Sequence, residues 1–205
     1  MYSEELIRHM HKQKPSLDTD RKFIFFSNAK VLQKSILWNV LSERAIMKNN
    51  GFRNYYKFLM SHPIKELKDI FKFTIVRNPF DRFVSAFHFL QQTYPNIISP
   101  NENFKDFVKT RLSKDGITIN KHFHHQYPNA FFGKEIFVDF IGRFENIEND
   151  WERIAQKINC SIDLPHDNMS IHEPYQNYYD DECIGIIEET YKYDLELLGY
   201  EYEPR

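Results

Sequence analysis

Two short runs without polar alternation constrain this chain more than any other feature. Lys22–Ser27 reads KFIFFS and Phe71–Val76 reads FKFTIV. Both have strand length, and both are apolar at almost every position. That is the pattern of a strand buried on its two faces. Each run passes through a polar loop into a helical period. After the first come SNAKVLQKS and then ILWNVLSERAIM, where Ile36, Val40 and Met47 recur at helical spacing with Leu37 and Leu41 beside them. After the second come Arg77, Asn78 and Pro79. Asn is a favoured N-cap and Pro a favoured first helical residue. Phe80, Phe83, Val84, Phe87 and Leu90 then mark the buried stripe of a helix. Strand, loop and helix in that order, twice, specify an α/β chain with a mainly parallel sheet.

The remaining segments extend the pattern. A further helix is predicted over 103–112, a long loop over 116–133 and a third strand over 136–144. An amphipathic helix is predicted over 146–158, with Ile147, Trp151, Ile154 and Ile158 on one stripe. A polar loop over 159–179 leads to a last helix over 180–198, and Gly199 stands where a C-cap glycine belongs. The first twenty residues lack a clean period and read as a loose arm or a short helix. There is no internal repeat. The 205 residues suit a single domain spanning 1–205.

Composition removes several function classes. The 27 basic and 29 acidic residues leave a net charge of −2, against a general nucleic-acid binder. Mean hydropathy is −0.60, and no apolar run has the length of a membrane span. The polar start, MYSEELIRHM, has no secretory h-region, and two cysteines are compatible with a reducing compartment. Together these point to a cytoplasmic chain. Scarce Gly with abundant Lys, Asn and Ile points to a microbial source.

Three places carry chemistry-bearing residues. The loop after the first strand holds Lys30, Val31, Leu32, Gln33, Lys34 and Ser35. A strand-to-helix junction of this kind suits an anion, and a solvated turn with two surface lysines is the competing reading. The loop lacks glycine, so it is not a Walker A loop, which speaks against an NTPase. At the second junction Arg77 precedes the helix cap, and Ser85 lies two turns inside the helix. A guanidinium grips phosphate in a bidentate way. The competing reading makes Asp81 and Arg82 a local ion pair and Ser85 a packing residue. The third place is the trio His122, His124 and His125. Histidine serves as a general base near neutral pH. No Cys or carboxylate lies close enough in sequence to complete a metal set, so no metal is expected.

These residues also carry a resemblance. TIVRNPFDRFVSAF resembles the 3′-phosphate-binding motif of sulfotransferases, where Arg and Ser stand eight apart as Arg77 and Ser85 do. KFIFFSNAKVLQKS resembles their 5′-phosphosulfate loop, with Lys30 on the motif's lysine. HFHHQY resembles the His-Trp-x-Pro-Gln segment of the carbohydrate-modifying branch, with His122 and Gln126 in register. DFIGRFENIENDW and YYDDECIGIIEETYKYDLELLGY resemble the same branch, that of the Golgi-type carbohydrate sulfotransferases and their shorter bacterial relatives. The five matches run in order from about residue 22 to 202. Ala29 stands where the family has Pro, Leu32 or Gln33 where many members have Gly, Lys34 where a hydroxyl is usual, and His125 where Pro precedes Gln.

The resemblance implies a P-loop-kinase-like three-layer sandwich and the donor 3′-phosphoadenosine-5′-phosphosulfate (PAPS), with PAP as product. It implies donor contacts from Lys30–Ser35, Arg77 and Ser85, and a carbohydrate hydroxyl as acceptor. His122 becomes the expected base and Lys30 the cation that stabilises the leaving oxygen. In an extended segment His124 would share the face of His122, and His125 would point away. A non-catalytic PAP- or nucleotide-binding protein and a small-metabolite kinase are the alternatives.

Overall fold

The computed structural model describes residues 4–13, 15–18, 22–32, 36, 40, 69–161 and 172–204. Its contacts divide the chain into two units, Met1–Val76 with Pro128–Pro165 and Arg77–Tyr127 with His166–Arg205.

The first unit carries the sheet. Its strands are β1 (Ser16–Asp18), β2 (Phe23–Phe26), β3 (Phe71–Val76) and β6 (Phe140–Arg143), in the order β1-β2-β3-β6. β2 pairs with β3 and β3 with β6 in parallel, with Phe25 opposite Phe73 and Phe73 opposite Phe140. β1 joins β2 antiparallel, with Leu17 opposite Ile24. All four residues of β2 are fully buried, as the unbroken apolar run requires. Each such Phe contributes roughly 1.5–3 kcal/mol of burial.

One face of the sheet buries Phe23, Phe25, Phe73 and Ile75 against Trp151 and Ile154 of the helix Ile147–Lys157. A methyl on Gly142 of β6 would sit 3.3 Å from Ile75 Cγ1 and 3.4 Å from Ile154 Cδ1, so the missing side chain is what lets these elements approach. Ile36 and Val40 are buried in the same cluster. The helix predicted over 36–47 otherwise lies outside the described residues, as do Gln33, Lys34 and Ser35.

The predicted strand over 136–144 is divided. Glu135–Ile136 (β5) pairs with Phe131–Phe132 (β4) in a two-residue hairpin, and only Phe140–Arg143 joins the sheet. Ile136 is 59% exposed, so its apolar character does not report burial. The division falls at Asp139. Its N–H donates to Lys72 O at 2.7 Å, and its Oδ2 accepts from Lys72 N at 2.7 Å and pairs with Lys72 Nζ at 2.9 Å. At the other end Glu4–Lys12 (α1) is helical. Three residues of β1, one of them Asp, are too short for a periodic signal, and the sequence gives no warning of that strand.

The second unit is helical. Pro79–Thr93 (α2) starts as predicted, with Phe80 N–H donating to the Asn78 side chain at 3.0 Å. Phe104–Asp106, the wider π-helical stretch Phe107–Leu112 and Ser113–Asp115 follow as one helical run, capped by Asn103. Short 3₁₀ turns occupy much of the predicted 116–133 loop, including Gly116–Ile119 and Lys121–Phe123. The single helix predicted over 180–198 is two, Asp181–Thr190 and Lys192–Leu198. Tyr191 sits at the break with φ −107° and ψ 22°, and its buried hydroxyl donates to Phe123 O at 2.7 Å. Gly199 closes the second piece at φ 64°, the left-handed cap its position predicts.

Candidate functional site

The loop after β2 is held at its root by side chains. Asn28 Nδ2 donates to Thr74 Oγ1 (3.1 Å) and Ile75 O (3.0 Å), while Asn129 Nδ2 donates to Asn28 Oδ1 (2.6 Å) and Ser27 O (3.2 Å). The chain then turns sharply. Lys30 has φ 66° and Leu32 has φ 50°, both left-handed without being glycine. Such a conformation costs roughly 1–2 kcal/mol per residue, and strain of this kind concentrates at ligand-binding sites. Val31 is fully buried in the sheet-side core. Lys30 and Leu32 are part-buried.

Arg77 follows β3 directly and is 8% exposed. Its Nε donates to Asp81 Oδ2 at 2.7 Å. The local ion pair is therefore Arg77–Asp81, not the Asp81–Arg82 pair of the competing reading. Arg82 is buried and turns elsewhere, donating to His122 O (3.0 Å) and His124 O (2.7 Å) with its guanidinium over the Tyr191 ring. Ser85 lies two turns into α2 and is 1% exposed. Gln126 is fully buried and pairs with the Arg77 backbone, accepting from its N–H at 3.0 Å and donating to its carbonyl at 2.8 Å.

The histidines do not lie on an extended segment. Lys121–Phe123 is a 3₁₀ turn, so the alternation placing His122 and His124 on one face does not apply. Asn120 caps this turn. Its Oδ1 accepts the His122 backbone N–H at 3.0 Å and lies 2.7 Å from His122 Nδ1. A backbone N–H only donates, so the amide oxygen is fixed at that place. That oxygen only accepts, so Nδ1 carries a proton, and in the neutral ring the lone pair falls on Nε2. His122 also packs on Phe89, with ring centroids 5.0 Å apart. Phe123, at the motif's Trp position, is fully buried and lies 4.8 Å from the Phe83 ring.

His124 is exposed, and partial burial of the ring, with Arg82 and His125 nearby, lowers its pKa. His125 Nδ1 is 3.7 Å from Asp194 Oδ2, and the ring borders a cavity of about 670 Å³ together with Leu112, Asp115, Glu182 and Glu189. Among the described residues no group of three or more His, Cys, Asp or Glu is placed to hold a metal ion. No helix among them is long and apolar enough to cross a membrane.

Asn120 and Asp194 escape the sequence reading, and Asp81 enters it only as a partner of Arg82. Asn120 was legible in principle, since Asn two residues before a turn's first free N–H is an ordinary cap. Asp81 lies four residues after Arg77, a common helical pairing distance. Asp194 meets Gln126 across 68 residues, and nothing local announces it.

Comparison with known proteins bears on the family alone. A curated relative, an uncharacterized protein of Archaeoglobus fulgidus, is 29% identical over 92 residues, covering 45% of this chain and 70% of that protein. No solved structure matches. The sequence model of the Sulfotransferase family matches residues 17–201, from β1 through both strand-to-helix junctions and the histidine turn to the C-terminal helices, and the chain belongs to that family.

Proposed function

We propose that the chain transfers the sulfuryl group of PAPS to a carbohydrate hydroxyl, with His122 as general base and Lys30 stabilising the leaving phosphate oxygen. The observation that carries the proposal is the proton arrangement at His122. Asn120 holds the proton on Nδ1, so in the neutral ring the lone pair that would accept the proton of an attacking hydroxyl is on Nε2. Membership of the sulfotransferase family supplies the reaction class. The donor carries two anionic ends. In this reading residues 30–35 take the 5′-phosphosulfate, and Arg77 with Ser85 takes the 3′-phosphate. The donor set fits that assignment: two lysines and a hydroxyl follow the first strand, and a guanidinium oriented by Asp81 follows the second.

The step balances simply. The acceptor oxygen attacks sulfur in line, the bond from sulfur to the phosphate oxygen breaks, the hydroxyl proton passes to His122 Nε2, and PAP leaves. Charge grows on the departing oxygen, where a cation lowers the barrier. In this reading the sheet and its helices form a P-loop-kinase-like three-layer sandwich.

A second reading rests on the loop itself. Ala29, Leu32 and Lys34 depart from the family's pattern, and the chain takes left-handed turns at Lys30 and Leu32 without glycine. A PAP-binding protein without turnover fits those departures. Thermal unfolding with PAP, ADP and ATP–Mg²⁺ tests the donor. PAP at 100 times its Kd stabilises by about 2.7 kcal/mol, and ADP stabilises much less. A larger shift with ATP–Mg²⁺ than with PAP contradicts the proposal and favours a kinase.

A further inference from the structure

We infer that Gln126 and Asp194 form a positioning relay that sets Arg77 for the donor, an inference that rests on reading Arg77 as the contact to the 3′-phosphate. Gln126 is fully buried, and its one side-chain amide satisfies both polar groups of the Arg77 backbone, Oε1 taking the N–H at 3.0 Å and Nε2 giving to the carbonyl at 2.8 Å. The amide cannot be reversed, because a backbone N–H only donates and a carbonyl only accepts. Arg77 follows β3 directly, and this pair bonds its backbone from a side chain.

Gln126 is itself held in place. Its N–H lies 2.9 and 3.1 Å from the two Asp194 oxygens, and the Tyr127 N–H donates to Asp194 Oδ1 at 2.7 Å. Asp194 is fully buried in the helix Lys192–Leu198, and a carboxylate is retained there only when donors satisfy it. The relay thus runs from the C-terminal helix through the histidine segment to the Arg77 peptide. Asp81 fixes the other end of the residue by taking Nε. With peptide and Nε both held, the guanidinium is placed without further ordering on binding. Misplacement of such a group by about 1 Å can cost on the order of 10²-fold.

The experiment measures Kd for PAP and for ADP, with melting temperature as the fold control, in wild type, Gln126→Leu, Gln126→Glu and Asp194→Asn. The wild type is expected to prefer PAP by at least about 10-fold, the weight of a charged bidentate contact. Gln126→Leu removes both peptide bonds and should cut that preference about 10-fold, leaving ADP affinity within about twofold. Gln126→Glu keeps the acceptor for the Arg77 N–H but loses the donor to its carbonyl, and should fall between. Asp194→Asn keeps an oxygen for the two N–H groups and should also be intermediate. If Gln126→Leu does not fold, Gln126→Glu and Asp194→Asn carry the decision. Folded variants with the full wild-type preference overturn the relay alone. A wild type that binds PAP and ADP equally overturns the donor reading, and the relay with it.

Discussion

The ends of β2 and β3 are neighbours in one parallel ladder, yet the chain leaves them by different means. After β2 the Asn28 and Asn129 amides hold the root of the turn, but the turn itself is made by the backbone, with Lys30 and Leu32 in the left-handed region and no glycine to ease them. After β3 the chain is relaxed, and distant side chains do the holding. Gln126 takes both polar groups of the Arg77 backbone, Asp81 takes Arg77 Nε, and the Asn78 side chain caps α2. One junction stores strain and the other spends buried polar groups. The first should respond to changes in backbone freedom, the second to deletion of single side chains.

The largest effect separates chemistry from either junction. His122→Ala should lower turnover by about 10²–10⁴-fold, the usual range for a lost general base, with PAP affinity nearly unchanged; steady-state rates beside calorimetric PAP binding check this. Next is Lys30→Ala. Its charge matters most as the leaving oxygen becomes negative, so turnover should fall about 10²-fold and donor affinity much less. A change that appears only in affinity would place Lys30 among ground-state contacts. At the β3 junction Arg77→Ala should remove a preference for PAP over ADP amounting to roughly 1.5–3 kcal/mol, read from the same titrations.

A smaller change sharpens the contrast in backbone strain. Lys30→Gly and Lys30→Ala lose the same ammonium, but glycine accepts φ 66° freely. Lys30→Gly should therefore be the more stable of the two by about 1 kcal/mol in urea unfolding. Equal stability would mean that the turn relaxes when the lysine is lost.

The smallest expected effect lies away from both junctions. Burial first, and the neighbouring His172 second, lower the pKa of His88, whose buried Nε2 has no hydrogen-bond partner among the described residues. A depressed histidine binds its proton less readily when folded. Its contribution is thus intact above the unfolded value of about 6.5 and is lost as pH falls below it. His88→Leu should flatten the decline of melting temperature between about pH 7 and 5.

Much of this architecture was legible because it is local. The apolar runs at 22–27 and 71–76 marked buried strands, and Asn78-Pro79 marked the start of α2. The boundaries that moved did so for tertiary reasons. Asp139 interrupts the third strand by bonding Lys72, and Tyr191 breaks the last helix while anchoring to Phe123. The histidine segment misled because alternation presumes an extended chain, whereas Asn120 caps a 3₁₀ turn there. Gln126 was visible as a motif position, but its pairing with the Arg77 backbone across 49 residues has no local signature.

The most direct measurement incubates the wild-type chain with PAPS and a panel of oligo- and polysaccharides, following PAP and the mass of the acceptor together. A carbohydrate sulfotransferase should form PAP only with an acceptor present, matched one for one by acceptor gaining a sulfate. Tight PAP binding with no acceptor on the panel sulfated and no PAP released would contradict it, and would leave a binding protein on a sulfotransferase fold.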